Sequence, residues 1–158
     1  MSKLLEFIFY TLGVGCTPKP FDLTGWEFSA IEVEGLDFES EIGVSLLCAH
    51  LYYRILRSIP SLARTWWSSS KDRQLTQSVE AYTDKWFSPL LIHSEIDLVL
   101  TQRTSIEDVE IKTSKVSREI TAKYVMDEAS ADIIVSFPPG FPLKLVEFKT
   151  NSGGRAIG

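Results

Sequence analysis

The sequence has little of what marks several large classes of protein. Its 158 residues include two cysteines, Cys16 and Cys48, which lie far apart and lack the spaced pairs of cysteine and histidine that a zinc site needs, so neither a disulfide framework nor a zinc site is indicated. This composition favours a reducing, cytoplasmic setting. No run approaches the roughly 18 to 20 apolar residues of a membrane span. The apolar stretch LLEFIFYTLGVG is interrupted by Glu6 and lacks a basic leader, so we expect a helix there and no membrane partner.

Residues for catalysis are also scarce. Neither His50 nor His93 stands near a serine or cysteine in a nucleophile motif, and no phosphate-binding glycine loop is present. We therefore predict that this chain has no catalytic centre and needs no cofactor. One alternative is a metal-dependent nuclease, in which Asp132, Glu147 and Lys149 hold a divalent ion and a water. That pattern lacks a further acid, and acid-x-lysine also commonly protects a strand edge.

Charge is unevenly distributed in a chain whose formal net charge is −5. Residues 21–50 hold seven acids and no lysine or arginine, whereas residues 51–90 hold six bases and three acids. We interpret the first block as an acidic linker. The second block contains SLARTWWSSSKDRQL at 61–75, here called the basic segment.

The basic segment combines adjacent tryptophans with exposed bases. Arginine binds phosphate or carboxylate through two parallel hydrogen bonds and also stacks on nucleobases. Large aromatic side chains are more often packed than exposed, so we predict that Trp66 is structural, in the joint between two helices. The residues predicted to contact a partner are Arg64, Trp67, Lys71 and Arg73.

Apolar spacing predicts helices in the first two thirds of the chain. A short helix over 3–12 ends at closely spaced glycines and prolines. Spacings of three and four then predict two amphipathic helices, the first closed or restarted by Pro60 and the second restarted by Ser88 and Pro89. Their predicted apolar seams are Val44, Leu47, Leu51, Ile55 and Ile59, and Leu75, Val79, Tyr82, Trp86 and Leu90.

Alternation replaces the helical pattern after Thr101. Four short strands are predicted: VEIKTSK, REITAKYVM, ADIIVSF and LKLVEFK. On the second strand Ile120, Ala122, Tyr124 and Met126 are expected to share the buried side. Short connections require antiparallel neighbours, so the predicted class is α+β, with N-terminal helices followed by a four-stranded antiparallel meander.

Two motifs resemble a known family. The runs IPSLARTWWSSSKDRQL and SVEAYTDKWFSPLLI resemble the segment ahead of the catalytic domain in Listerin, a RING-type ubiquitin ligase of ribosome-associated quality control. FPPGFPLKLVEF resembles the turn and strand of RWD domains, which share the fold of ubiquitin-conjugating enzymes. Phe141 and Pro142 match the start of the Tyr-Pro-x-x-x-Pro-like pattern, and Val146 replaces its second proline. We assign Trp86, Pro89, Phe141 and Pro142 structural roles.

The resemblance implies an organisation and a set of partners. Residues 1–40 would be a helix and acidic linker at the end of a HEAT-repeat rod, residues 41–75 a helical connector, and residues 76–158 an RWD-like domain without its C-terminal helices. The chain would then be a fragment that continues past Gly158 into the remaining helices and a RING, the expected place of zinc and of the ubiquitin-conjugating enzyme. No cysteine follows Pro142, so conjugating activity in this chain is not expected.

The implied function is docking. A Listerin-like chain would help place the RING on the large ribosomal subunit, among nascent-chain quality-control factors, so that stalled nascent chains are ubiquitinated. A protein-interaction scaffold without ribosome contact is the alternative, with the basic segment bound to residues 21–50.

Overall fold

The structure is a computed structural model that describes residues 2–102 and 108–154. The chain forms two compact units, a helical unit that ends at Phe87 and a sheet unit that begins at Ser88. The predicted divisions after residues 40 and 75 both fall inside the helical unit. Within the described residues, every helix is too short or too polar to cross a membrane.

The helices begin and end close to the predicted signals. Ser40 caps α2, since its hydroxyl accepts a hydrogen bond from the Gly43 N–H at 3.0 Å, and Pro60 starts α3 as predicted. Ser88 and Pro89 open α5, also as predicted. The α-helices are α1 (Ser2–Leu12), α2 (Glu41–Ser58), α3 (Pro60–Ser69), α4 (Arg73–Trp86) and α5 (Ser88–Gln102).

Helix α2 is buried over a wider arc than its predicted seam. Of the five predicted positions Ile55 is buried, Val44, Leu47 and Leu51 are half-buried, and Ile59 is exposed, so the prediction was wrong at Ile59. The buried positions include Leu46, Ala49, Tyr52, Tyr53 and Leu56. One cause lies in residues 21–50, interpreted as a linker, because the buried Phe28 packs edge-on against Tyr53 and its carbonyl lies 2.8 Å from His50 Nδ1.

A chain of aromatic rings forms the centre of the helical unit. Tyr52 meets Phe9 on one side and Phe87 on the other, each with ring centroids 4.8 Å apart and an edge-to-face angle of 74°. Phe28 lies 5.0 Å from Phe87. Edge-to-face contacts add to the stability gained from burial, so α1, α2 and the chain after α4 are joined through this one cluster.

Two buried tyrosines each donate a hydrogen bond from the hydroxyl group to another residue. Thr83 Oγ1 donates its hydrogen to the Val79 carbonyl at 2.7 Å, so Tyr52 is the donor in the 2.6 Å bond to Thr83. Tyr82 donates to the Phe21 carbonyl at 2.7 Å. Burial raises the pKa of both phenols well above the ordinary value of 10.0, and the Asp22 charge raises that of Tyr82 further.

This burial predicts a loss of stability in alkali. Above about pH 10 the unfolded state ionises both phenols and the folded state does not, so the free energy of unfolding should fall by up to ~1.4 kcal/mol per pH unit for each tyrosine. Below about pH 10 both phenols are neutral in the folded and the unfolded state, so the free energy of unfolding is not lowered by their ionisation. Urea unfolding across this range should show a shallower fall in Tyr52→Phe and in Tyr82→Phe. An unchanged slope in both variants would contradict the assignment, and Tyr10→Phe, at a side chain 76% exposed, is the control.

The sheet unit has the predicted antiparallel meander, in the order β1-β2-β3-β4. The last strand was predicted too early in the chain: it begins at Glu147, whereas residues 138–146 form turns and bends. Asn151–Gly154 continue the strand and pair with β3. The peptide between Phe141 and Pro142 is cis. The strands are β1 (Val109–Ser114), β2 (Glu119–Met126), β3 (Ala129–Ser136) and β4 (Glu147–Gly154).

Helix α5 covers one end of the sheet. Ile92 and Ile96 pack with Ile120 and Phe137 in a buried cluster. Further along the same face, Tyr124, Met126, Ile133 and Phe148 are exposed, the last by 67%. Burial predicted for Tyr124 and Met126 was therefore wrong, because α5 does not reach them.

Candidate functional site

The basic segment folds as the end of α3, a short connection and the start of α4. The chain leaves the helix at Ser70 and re-enters at Arg73, and the Asp72 carboxylate accepts a hydrogen bond from the Leu75 N–H at 3.1 Å. Asp72 therefore caps α4. The break puts Arg64 and Arg73 on different helices and Lys71 on the connection between them.

The two tryptophans attach this segment to the helical unit. Trp66 stacks on Phe9 of α1, with centroids 5.4 Å apart and planes 14° from parallel. Trp67 donates its indole N–H to the Thr76 carbonyl at 2.9 Å, which joins α3 to α4. Both rings are half-buried. The polar atom of Trp67 is thus used inside the chain, and only the exposed part of its ring is left for the partner contact predicted from the sequence.

The three predicted contact bases differ in exposure. Arg64 is half-buried, whereas Lys71 and Arg73 are exposed. Among the described residues neither Lys71 nor Arg73 forms an ion pair. Arg73 is the first residue of α4, where a positive charge opposes the helix dipole. Stabilisation of the helix therefore does not account for an arginine at position 73, and its side chain is exposed to solvent.

Two bases near the segment were overlooked as site residues. Arg54 and Arg57 lie one turn apart on α2 and are both exposed. Arg57 is in the last turn of the helix, where a cation stabilises the helix dipole. The charge count over 51–90 already included both residues, and that count was the only signal that could have found them.

Two acids of residues 21–50 form local hydrogen bonds. Asp22 accepts from the hydroxyl and N–H of Thr24, at 2.6 and 2.8 Å, and Glu27 accepts from Ser29. These bonds lower the pKa of both carboxyl groups below their ordinary values. The acidic block therefore stabilises its own turns, and the contact with the basic segment expected of a scaffold stays a prediction.

The residues assigned structural roles lie at the ends of elements. Trp86 is half-buried at the end of α4, with Lys85 Nζ 4.9 Å from its ring centroid. Pro89 is half-buried in the first turn of α5. Phe141 packs edge-on against Phe137 at 5.0 Å, and Pro142 is buried beside it. Ser88 donates to the Phe141 carbonyl at 2.6 Å, which ties this turn to α5.

The residues of the nuclease alternative do not form a metal site. Asp132 lies opposite Asn151 on β4, so Glu147 is four residues further along that strand, about 13 Å away. In the part of the chain that the structure describes, no group of three or more histidine, cysteine or acidic side chains could hold a metal. Asp132 also lies opposite Lys123 on β2, and among the described residues these two side chains form no ion pair.

Comparison with known families assigns each part of the chain. A model described as "LTN1 family HEAT repeat region" matches residues 1–100. A second, "Ubiquitin conjugating domain-like", matches residues 109–155. The second match agrees with the order of helices followed by an antiparallel sheet and confirms the predicted RWD-like, ubiquitin-conjugating-enzyme-like α+β fold.

Curated relatives agree along most of the chain. The chain is 29% identical to the protein named E3 ubiquitin-protein ligase listerin from Neurospora crassa over 93% of its length, and 32% identical to that from Schizosaccharomyces pombe over 77%. The listerin of Mus musculus is 27% identical over 82%. The matches cover 10%, 8% and 8% of these relatives, so the chain spans about a tenth of their length or less.

Proposed function

The chain belongs to the listerin family, and on that premise we propose that it is a non-catalytic docking and positioning module of a ubiquitin ligase in the cytosol. It would help to hold a RING domain on the large ribosomal subunit, where stalled nascent chains are ubiquitinated. The observation that supports the proposal is the family match over residues 1–100. These residues contain the basic segment, on which Lys71 and Arg73 are exposed.

Proximity is the proposed mechanism. A rigid module that fixes a distant catalytic domain near its substrate raises the effective concentration of that domain there. Stacking of Trp66 on Phe9 and bonding of Trp67 to Thr76 would give the segment its rigidity. Lys71 and Arg73 would meet ribosomal phosphates or acidic protein surfaces, since such contacts are electrostatic and need exposed cations.

Co-sedimentation with purified large ribosomal subunits over a salt series tests this proposal. Wild type should bind more weakly as salt rises, and the triple variant Arg64→Glu, Lys71→Glu, Arg73→Glu should lose binding while staying folded. The slope of the logarithm of the binding constant against that of salt should fall by about 1 for each phosphate that the variant no longer neutralises.

A second triple variant provides the matched control. Lys112→Glu, Lys123→Glu and Lys149→Glu change the net charge equally but lie on the sheet, at exposed positions. Binding should survive these changes. Equal loss in both variants would show a general charge effect, and no binding by folded wild type at any salt concentration would contradict the docking role.

A further inference from the structure

We propose that a groove along α4 binds an acidic, extended peptide segment that carries a proline or an aromatic residue. The groove has a volume of about 650 Å³ and lies between residues 13–22 and one face of α4. It lies wholly in the helical unit and involves none of the three bases assigned to ribosome docking. The proposal is therefore independent of the docking function.

One wall of the groove is a loop held by specific contacts. Gly15 has a φ of +83°, and a Cβ placed on it would lie 2.7 Å from Leu75 Cδ1, so the backbone approaches α4 more closely than other residues allow. At the other end, the Phe21 N–H donates to the Leu12 carbonyl at 2.8 Å, and the Phe21 carbonyl accepts from Tyr82. These contacts hold the loop at both of its ends.

The floor is a stripe of α4. Gln74, Ser78, Ala81 and Lys85 line it at spacings of four and three, which place them on one face of the helix. Lys85 lies eleven positions after Gln74, so the stripe is about 16 Å long. The small side chains of Ser78 and Ala81 leave space at the middle of this stripe. Because an extended chain advances about 3.3 Å per residue, the groove can hold about five residues of a peptide.

Apolar rings line the groove, where they would contact an anchoring side chain of the peptide. Trp86 lines one side, and Pro18 and Pro20 line the other. Trp86 is half-buried, whereas both prolines are exposed. Grooves lined by aromatic rings recognise proline-rich extended peptides, whose stiff backbone loses little entropy on binding. Aromatic side chains suit the same surface because flat rings stack.

The charges of the groove favour an acidic ligand. Lys19 and Lys85 line it, and Asp22 is the one carboxylate among its described lining residues. Asp22 accepts two hydrogen bonds from Thr24 and keeps its negative charge, so the described lining of the groove carries two positive charges against one negative charge. Lys85 Nζ lies over the Trp86 ring, which places a cation beside the apolar anchor. A ligand with a carboxylate next to a proline or aromatic residue matches this arrangement.

Selection from a random peptide library displayed on phage tests the proposal. The wild-type chain serves as bait, and binders retained by Ala81→Trp are depleted first. Ala81 is exposed, so a tryptophan there fills the groove without entering the core. Enriched sequences should be acidic and contain proline or an aromatic residue. Basic sequences, or no sequence that needs an open groove, would overturn the proposal.

Calorimetry on an enriched peptide then measures each contribution. Ala81→Trp and the double variant Lys19→Glu, Lys85→Glu should each weaken binding by about tenfold or more, equivalent to 1.4 kcal/mol. Gln77→Trp, at an exposed position of α4 outside the groove, should leave affinity unchanged. So should the triple variant of Arg64, Lys71 and Arg73, which keeps this result separate from ribosome docking.

Nucleic acid is the competing anionic occupant. Among the described lining residues the groove has two lysines, one tryptophan and no arginine. Sites for single-stranded nucleic acid typically combine a strongly basic groove with a row of exposed aromatic rings. Oligouridylate added to the peptide complex should therefore fail to displace the peptide. Displacement, together with direct binding of oligouridylate that Ala81→Trp loses, would assign the groove to nucleic acid and overturn the peptide assignment.

Discussion

Phe9→Ala is expected to lower the free energy of unfolding of the helical unit by about 3 to 5 kcal/mol, the usual cost of removing a fully buried phenylalanine. Phe9 is 1% exposed and contacts both Tyr52 and Trp66. Its loss removes apolar burial, leaves a cavity and frees the ring of Trp66. Domain stabilities are about 5 to 15 kcal/mol, so this change removes a large share of the total.

Urea unfolding followed by tryptophan fluorescence measures this effect. The four tryptophans all lie in the helical unit, so the signal reports that unit alone. Phe7→Ala on the same helix is the matched control, since Phe7 is 55% exposed and surface substitutions usually change stability by less than about 0.5 kcal/mol. Similar losses in both variants would show that the aromatic cluster is not the centre of this unit.

Gly43→Ala should destabilise the same unit by about 2 kcal/mol, although alanine is the better helix former by about 1 kcal/mol. Gly43 lies in the first turn of α2, and a Cβ built there would lie 1.8 Å from the Asp37 carbonyl oxygen. Backbone must move to relieve such a contact. The Asp37–Ser40 turn and the Ser40 cap would move with it, because Ser40 bonds to both Asp37 and Gly43.

Gly35→Ala provides a control of opposite sign. No atom lies within 4 Å of a Cβ at Gly35, so alanine should be neutral or should stabilise by up to about 1 kcal/mol through the unfolded state. The same urea experiment compares the two variants. Stabilisation by both would mean that the chain before α2 does not pack against its first turn.

Local signals predicted some ends of helices well. Pro60 and Ser88 act within one turn of their own position, so the neighbouring sequence was sufficient to place them. Period-two alternation likewise predicted three strands and the meander, because each side chain's face depends only on its place along the strand.

Contacts between distant residues could not be predicted in the same way. His50 and Tyr52 were not part of the predicted α2 seam, since their burial depends on hydrogen bonds to Phe28 and Thr83. β4 begins later than its alternation suggested, because pairing with β3 sets its position. Trp66 was correctly assigned to packing in general terms, but no local pattern could reveal Phe9 as its partner.

Site-specific photocrosslinking tests ribosome docking most directly. A p-benzoylphenylalanine replaces Lys71 in one sample and Lys123 in another, both exposed positions, and each chain is irradiated with large ribosomal subunits at low salt. Docking through the basic segment predicts crosslinks to subunit components from position 71 and none from position 123. Crosslinks from position 123 alone, or from neither position when the chain co-sediments, would contradict that surface as the contact.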